Sequence, residues 1–188
     1  MSDAVTTAMR EVSRADFLPE SIKHLAHYDG PLPIGESQTN SQPYTVAEML
    51  RLLEVHPGHR ILDVGAGSGW TTALLAYLTG GAGTVIGLER NANLIGPARE
   101  ALSSYVEDNA RIDEATAGIL GAPDEAPFDR ILVSATAPRI PQSLVDQLAD
   151  DGIMVIPVAT TMKRVRRRGG QIEVTDHGQY RFVPLVED

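Results

Sequence analysis

The chain has 188 residues, enough to bury a substantial core in one domain, and a composition 43% hydrophobic and 22% charged argues against a disordered or membrane-embedded protein. A formal charge of −9 argues against nucleic-acid binding, which rests on accumulated Lys and Arg, and the lack of cysteine excludes disulfides, thiolate catalysis and Cys-based zinc sites. No apolar run of about 18 residues exists, the first residues lack the basic-then-apolar order of a signal peptide, and the five histidines show no HExxH-type spacing, so a cytoplasmic protein without membrane or metal is expected.

In chain order, Val5, Ala8, Met9 and Val12 recur at helical spacing and predict a helix over about residues 3–15 with one apolar face. PLPIGE then breaks regular structure, because two prolines and a glycine deny both helix and central strand. Residues 37–44, SQTNSQPY, carry no charge, and Val46, Met49, Leu50 and Leu53 predict a helix closed by HPGH. RILDV reads as a strand, GAGSG as a loop and WTTALLAYL as a helix. Strand TVIGLE, helix NANLIGPAREALSSYVE, weak strand RIDEA, strong strand DRILVSA, helix PQSLVDQLA and strand GIMVIPVA follow.

This alternation predicts an α/β fold, a doubly wound and mostly parallel sheet with helices on both faces. MKRVRRR, QIEVT and QYRFVPLV lack intervening helices and predict an antiparallel hairpin and a final strand at the sheet edge. One domain is expected, with residues 1–57 forming N-terminal helices and a loop, 58–160 the core and 161–188 the terminal hairpin. Residues 163–168 hold five of the sixteen basic residues, either as a solvated edge that discourages edge-to-edge pairing or as a docking patch for an acidic partner. Nothing suggests more than a monomer.

The glycines at 65, 67 and 69 lie between a strand and a helix, where backbone can approach a ligand and the helix N-terminus offers free N–H groups. A dinucleotide site expects G-x-G-x-x-G, but residue 70 is Trp. The G-x-G-x-G spacing after Asp63 resembles the S-adenosylmethionine loop of class I methyltransferases. Glu89 ends the next strand, where a carboxylate can accept hydrogen bonds from both ribose hydroxyls; alternatively it caps the helix that begins near Asn91.

Taken with ADFLPESIKHLAHYDGPLPIGESQTNSQPYTVAEML, ILDVGAGSGW, GAPDEAPFDRILVSATAPRIPQSLVDQLADDGIMVIPV and FVPL, the chain resembles the protein-L-isoaspartate O-methyltransferase family over nearly its whole length. PLPIG followed by SQTNSQPY is the specific signature. The resemblance implies a Rossmann-like methyltransferase fold and an enzyme that uses S-adenosyl-L-methionine to methylate the α-carboxylate of isoaspartyl residues in damaged proteins and peptides. The ester then collapses to a succinimide that reopens partly to aspartate.

Carried over by position, Ser41 is the functional serine. Asp63, Gly65, Ala66, Gly67 and Gly69 form the cofactor loop, Glu89 holds the ribose, and Ala117 lies beside the adenine. Thr39, Gln42 and Pro43 flank the substrate, and Val183 and Pro184 belong to the wall against which the peptide lies.

The absence of an evident general base fits this chemistry. A carboxylate with a reference pKa near 4 is already ionised at neutral pH, so the protein need only hold it in line with a sulfonium methyl, at about 3 to 3.5 Å. Neutral donors orient a carboxylate without tying up its charge, which accounts for an uncharged 37–44. The competing reading is that Ser41 or Thr45 satisfies the first N–H groups of the following helix.

The resemblance has departures. The family's Asp-Gly pair is Ala117-Gly118 here, removing one expected hydrogen bond to adenine unless Asp113 or Glu114 replaces it. Position 37 is Ser rather than Gly, position 40 is Asn rather than apolar, and Trp70 is bulky. These leave two other possibilities, a carboxylate methyltransferase for a dedicated peptide or small molecule, and a cofactor-binding module with little catalysis.

Overall fold

The computed structural model of the chain describes residues 3–186. Helix α1 (Ala4–Glu11) starts where the Asp3 carboxylate accepts the Thr6 N–H at 2.7 Å, and its apolar face buries Val5 and Ala8. Two 3-10 turns, Arg14–Phe17 and Glu20–Leu25, lead into strands β1 (Leu32–Gly35) and β2 (Gln38–Asn40). These form an antiparallel ribbon, so LPIG within PLPIGE and QTN within SQTNSQPY are regular structure after all. A two-stranded ribbon has free edges, and there Pro33 need donate nothing.

Helix α2 (Pro43–Leu53) begins with a proline in its first turn, where a missing N–H costs nothing. It buries the expected stripe of Val46, Met49, Leu50 and Leu53. Strand β3 (Arg60–Val64), helix α3 (Trp70–Thr79), strand β4 (Thr84–Glu89), helix α4 (Ala92–Ser103) and strand β5 (Ala110–Glu114) then alternate. Strand β6 (Phe128–Val133), helix α5 (Gln142–Val145) and strands β7 (Leu148–Val158), β8 (Thr161–Arg168) and β9 (Gln171–Gln179) complete the order.

The seven-stranded sheet runs β5-β4-β3-β6-β7-β8-β9, parallel from β5 to β7 and antiparallel thereafter. It is the doubly wound α/β arrangement. Alternate residues face opposite sides, so Ile61, Val85, Ile112 and Leu132 pack with α1 to α4, whereas Leu62, Ile86, Ile131 and Val133 pack with α5 and the 115–127 segment. The strand order reverses between β3 and β6. In an open α/β sheet, that reversal leaves a crevice at the carboxyl ends of the strands, where ligands bind.

Several expected elements are shorter than predicted, beginning with α1, which ends at Glu11 rather than near residue 15. The α4 helix stops at Ser103 rather than running through SSYVE. PQSLVDQLA makes only the four-residue α5, because Phe128 N–H donates to Gln147 O and Leu148 pairs with Phe128, drawing the chain into β7. QYRFVPLV is no strand of the sheet. Its segment 183–185 instead crosses the end of β6, where Thr136 N–H donates to Val183 O and Leu185 N–H to Thr136 O, each at 2.8 Å, while Pro184 has no N–H to extend a ladder.

The basic run lies on β8 and is engaged by the chain itself. Lys163 pairs with Asp176 at 2.6 Å, Arg164 with Glu54 at 3.0 Å, and Arg166 and Arg168 with Asp151, while Arg167 donates to Leu148 O at 2.9 Å. These intramolecular partners argue against a docking patch, and because β8 is paired with β7 on one side and β9 on the other, the run does not lie at the sheet edge either. Among the described residues, no helix is long and apolar enough to cross a membrane.

Candidate active site

A cavity of about 700 Å³ opens at the carboxyl ends of β3, β4 and β5. Its floor is the glycine loop. Gly65 and Ala66 both donate their N–H to Leu88 O at 2.9 Å, fastening the loop to β4. Gly65, Gly67 and Gly69 all have positive φ. At Gly69, φ is 90° and an added Cβ would lie 3.0 Å from Ile112 Cδ1 and 3.2 Å from Ala98 O, so a side chain there would push α3 from α4.

Glu89 is 5% exposed and clasps this loop. Its Oε2 accepts the Gly67 N–H and its Oε1 the Asn91 N–H, both at 2.8 Å. An ionised carboxylate has about four acceptor positions, so two remain for hydroxyl groups of a ligand. The cap of α4 is Asn91, whose side chain accepts the Asn93 N–H at 3.1 Å; Glu89 acts before the helix rather than in it. Gly65, Ala66, Gly67, Glu89 and Ala117 all line the cavity.

Asp63 is placed differently from expectation. It is 0% exposed, lines no part of the cavity, and its Oδ2 accepts the hydroxyls of Thr72 at 2.7 Å and Thr71 at 2.8 Å. Its Oδ1 is buried without a hydrogen-bond partner. Burial pushes this carboxyl up to about 6 against the two hydroxyls, and the nearby charge of Glu89 adds to the rise. Asp63 thus braces the base of α3 and is corrected from a cofactor contact to a buried support.

The β1–β2 ribbon forms one wall. Its tip, Glu36 and Ser37, has φ of 53° and 57°, and Glu36 accepts from the side-chain amides of Asn91 and Asn93 at 3.3 and 3.2 Å. Thr39, Asn40 and Ser41 line the cavity, and among the described residues the Ser41 hydroxyl has no protein partner. Gln42 and Pro43 do not reach it. Gln42 donates to Asp29, and Asp29 Oδ1 accepts the Tyr44 N–H at 2.9 Å, so Asp29 secures the start of α2. Neither Ser41 nor Thr45 provides that cap, and Gln42 and Pro43 are corrected from substrate contacts to anchors of the helix.

One buried side chain from outside the ribbon holds its base. Arg14, 6% exposed, donates to the carbonyls of Ala26, Tyr28, Gly30, Asn40 and Ser41 and, at 2.7 Å, to Asn40 Oδ1. The guanidinium also lies 5.6 Å from the centre of the Trp70 ring, whose N–H donates to Val12 O. The sequence singled out Asn40 and Trp70 but not Arg14, whose partners are mostly backbone carbonyls and so carry no residue signature.

Val183 and Pro184 line the opposite wall with Leu185, held there by Thr136. At the β5 end, Asp113 is taken by Arg111 at 2.6 Å and Arg99 at 3.7 Å, whereas Glu114 is exposed and lines the cavity. Ser68, Glu36 and Asn91, absent from the expected set, also line it. The glycine cradle, the clasped carboxylate and a mixed polar and apolar lining fit a nucleoside carrying a charged tail.

Comparison with known proteins agrees with this geometry. Relatives named protein-L-isoaspartate O-methyltransferase include one from Methanocella arvoryzae, 44% identical over 181 residues that cover 95% of this chain and 96% of the relative. Another, from Syntrophobacter fumaroxidans, is 45% identical over 97% of this chain and 85% of its own length. A Plasmodium falciparum protein described as a protein-L-isoaspartate O-methyltransferase, solved in complex with S-adenosyl-L-homocysteine, superposes with a TM-score of 0.88 at 30% identity, covering 100% of this chain and 92% of that one. The family model described as protein-L-isoaspartate(D-aspartate) O-methyltransferase matches residues 1–188, and the chain belongs to that family.

Proposed function

We propose that this chain transfers a methyl group from S-adenosyl-L-methionine to the α-carboxylate of L-isoaspartyl residues in damaged proteins and peptides, acting in the cytoplasm as a monomer. The observation that carries this reading is that the glycine loop with Glu89 and the ribbon with Ser41 open into one cavity, so cofactor and acceptor can meet there.

Glu89 offers its remaining lone pairs to the ribose hydroxyls, while Gly65, Ala66 and Gly67 let the backbone lie close to the ligand; Gly69 does not line the cavity and instead turns the chain into α3. Ala117 presents only a methyl group to the adenine, which leaves Glu114 as the acidic group at that end of the cavity. Bound S-adenosyl-L-methionine supplies a sulfonium methyl that a carboxylate can accept as an ester.

Thr39 and Ser41 orient that carboxylate with neutral donors, and Val183 and Pro184 form an apolar wall for the peptide. No proton has to leave the acceptor, so none of these side chains acts as a base. Fixed charge beside the acceptor would favour the charged ground state over a transition state in which opposite charges are quenched, which suits an uncharged 37–44.

The test offers S-adenosyl-L-methionine with matched isoaspartyl and aspartyl peptides and looks for the mass gain of one methyl. Labelling confined to the isoaspartyl peptide is expected. Labelling of neither, with calorimetric binding of the cofactor intact, would sink the repair assignment.

A further inference from the structure

The hydrogen bonds from Arg14 to the cavity run in one direction. A guanidinium has only donors, so the Asn40 atom that it meets must be the amide oxygen, at 2.7 Å. This turns the amide nitrogen the other way, where it donates to Ser68 Oγ at 3.1 Å. With its oxygen already accepting, Ser68 keeps one hydroxyl proton, and no protein acceptor takes it among the described residues. Ser68 lines the cavity, so that proton is available to a ligand acceptor.

The arrangement also joins two parts of the site that no other side-chain hydrogen bond links among the described residues. Asn40 closes the substrate ribbon, and Ser68 belongs to the glycine loop. Asn40 is 4% exposed, so water does not compete for its amide. An apolar residue at position 40 would leave the Ser68 proton free to rotate; the amide removes that freedom.

We propose that Asn40 is a positioning residue which, held by Arg14, fixes the Ser68 hydroxyl as a donor to a carboxylate bound in the cavity. The proposal rests on the cavity being the methyl-transfer site, where two carboxylates are at hand, one at the amino-acid end of the cofactor and one on the isoaspartyl substrate. A hydroxyl that donates to a carboxylate makes a charge-assisted bond, stronger than one to a neutral acceptor. Asn40 acts through Ser68.

The discriminating variant is Asn40→Asp. It keeps the shape and the Arg14 contact but turns the donor into a second acceptor, so the Ser68 proton is drawn back to position 40 and lone pairs face the cavity. Calorimetry would measure S-adenosyl-L-homocysteine binding, and then isoaspartyl-peptide binding to the loaded protein, for wild type, N40D, S68A and the double variant. At least one of the two affinities is expected to fall about tenfold in N40D and in S68A, with the double variant within about twofold of either single one.

A loss with S-adenosyl-L-homocysteine assigns the contact to the cofactor, and a loss confined to the peptide step assigns it to the substrate. Losses that multiply in the double variant, as simple charge repulsion would produce, overturn the proposal, as does wild-type affinity of N40D for both ligands. A fall of more than about 5 °C in the melting temperature of N40D would also overturn it, because the Arg14 contact would then not have been kept. If the wild type fails to bind S-adenosyl-L-homocysteine, the cofactor reading falls first and the proposal with it.

Discussion

Between Gly65 and Gly69 the chain is held by its own backbone: paired N–H groups on Leu88 O, positive φ at three glycines, and Glu89 across the gap. Between Leu32 and Ser41 it is held from outside, by Arg14 at the base and by Asn91 and Asn93 at the tip. One wall of the cavity is therefore held mainly through its own backbone, by positive φ and by N–H groups that donate to β4, whereas the other depends on side chains from separate segments. The two should fail differently when disturbed.

The largest effect is expected at Arg14. Arg14→Met leaves five carbonyls and the Asn40 amide oxygen without their buried donor. A stability loss of about 4 kcal/mol in urea unfolding and a fall of at least about 100-fold in peptide turnover should follow. A stable variant with unaltered turnover would show that the ribbon holds itself.

The glycine loop should yield a smaller loss of a different kind. Gly69→Ala puts a Cβ against Ile112 and Ala98 O at a φ of 90°, with an expected cost of about 2 kcal/mol and about tenfold weaker binding of S-adenosyl-L-homocysteine, read by urea unfolding and calorimetry. Unchanged cofactor affinity would mean that the shape of the loop is not set by this contact.

Beneath the loop, Asp63 gives the smallest effect, and one with a definite pH dependence. Its folded-state pKa of about 6 lies above that of a carboxyl in the unfolded chain. The folded protein therefore takes up the proton first as the pH falls, and the energetic penalty of the buried charge shrinks. Asp63→Asn removes that penalty, so the variant's stability relative to wild type should be more favourable at pH 8 than at pH 5, by about 1 kcal/mol. A difference independent of pH would mean that Asp63 is not the group titrating in this range.

The sheet was legible because its strands are apolar runs between turn signals, and Glu89 because it follows the glycine loop at the end of the next strand. The position of Asp63 in the sequence misleads for a geometric reason. A residue next to a ligand loop in sequence can still point into the sheet-helix interface, as it does beneath Thr71 and Thr72. The sequence suggests a longer α5 because Leu144, Val145 and Leu148 suit a helix face as well as the core positions that the turn into β7 gives them.

The ribbon was the least legible part. Pro33 and Gly35 argued for irregular chain, and Gln42 and Pro43 were grouped with Ser41 because they adjoin it, although the chain turns into α2 at that point. Asn40 and Trp70 stood out only as departures from the family pattern. In the fold both contact Arg14, which links two apparently separate substitutions to one support.

The division of labour between the two walls is tested most directly at Ser41, whose hydroxyl has no protein partner among the described residues. For Ser41→Ala, turnover of an isoaspartyl peptide and calorimetric affinity for S-adenosyl-L-homocysteine should be measured on the same preparation. Turnover is expected to fall by about 100-fold, while cofactor affinity stays within about twofold and the melting temperature within about 2 °C. Full turnover, or a parallel loss of cofactor affinity and stability, would contradict the assignment of the ribbon to the acceptor and the glycine loop to the cofactor.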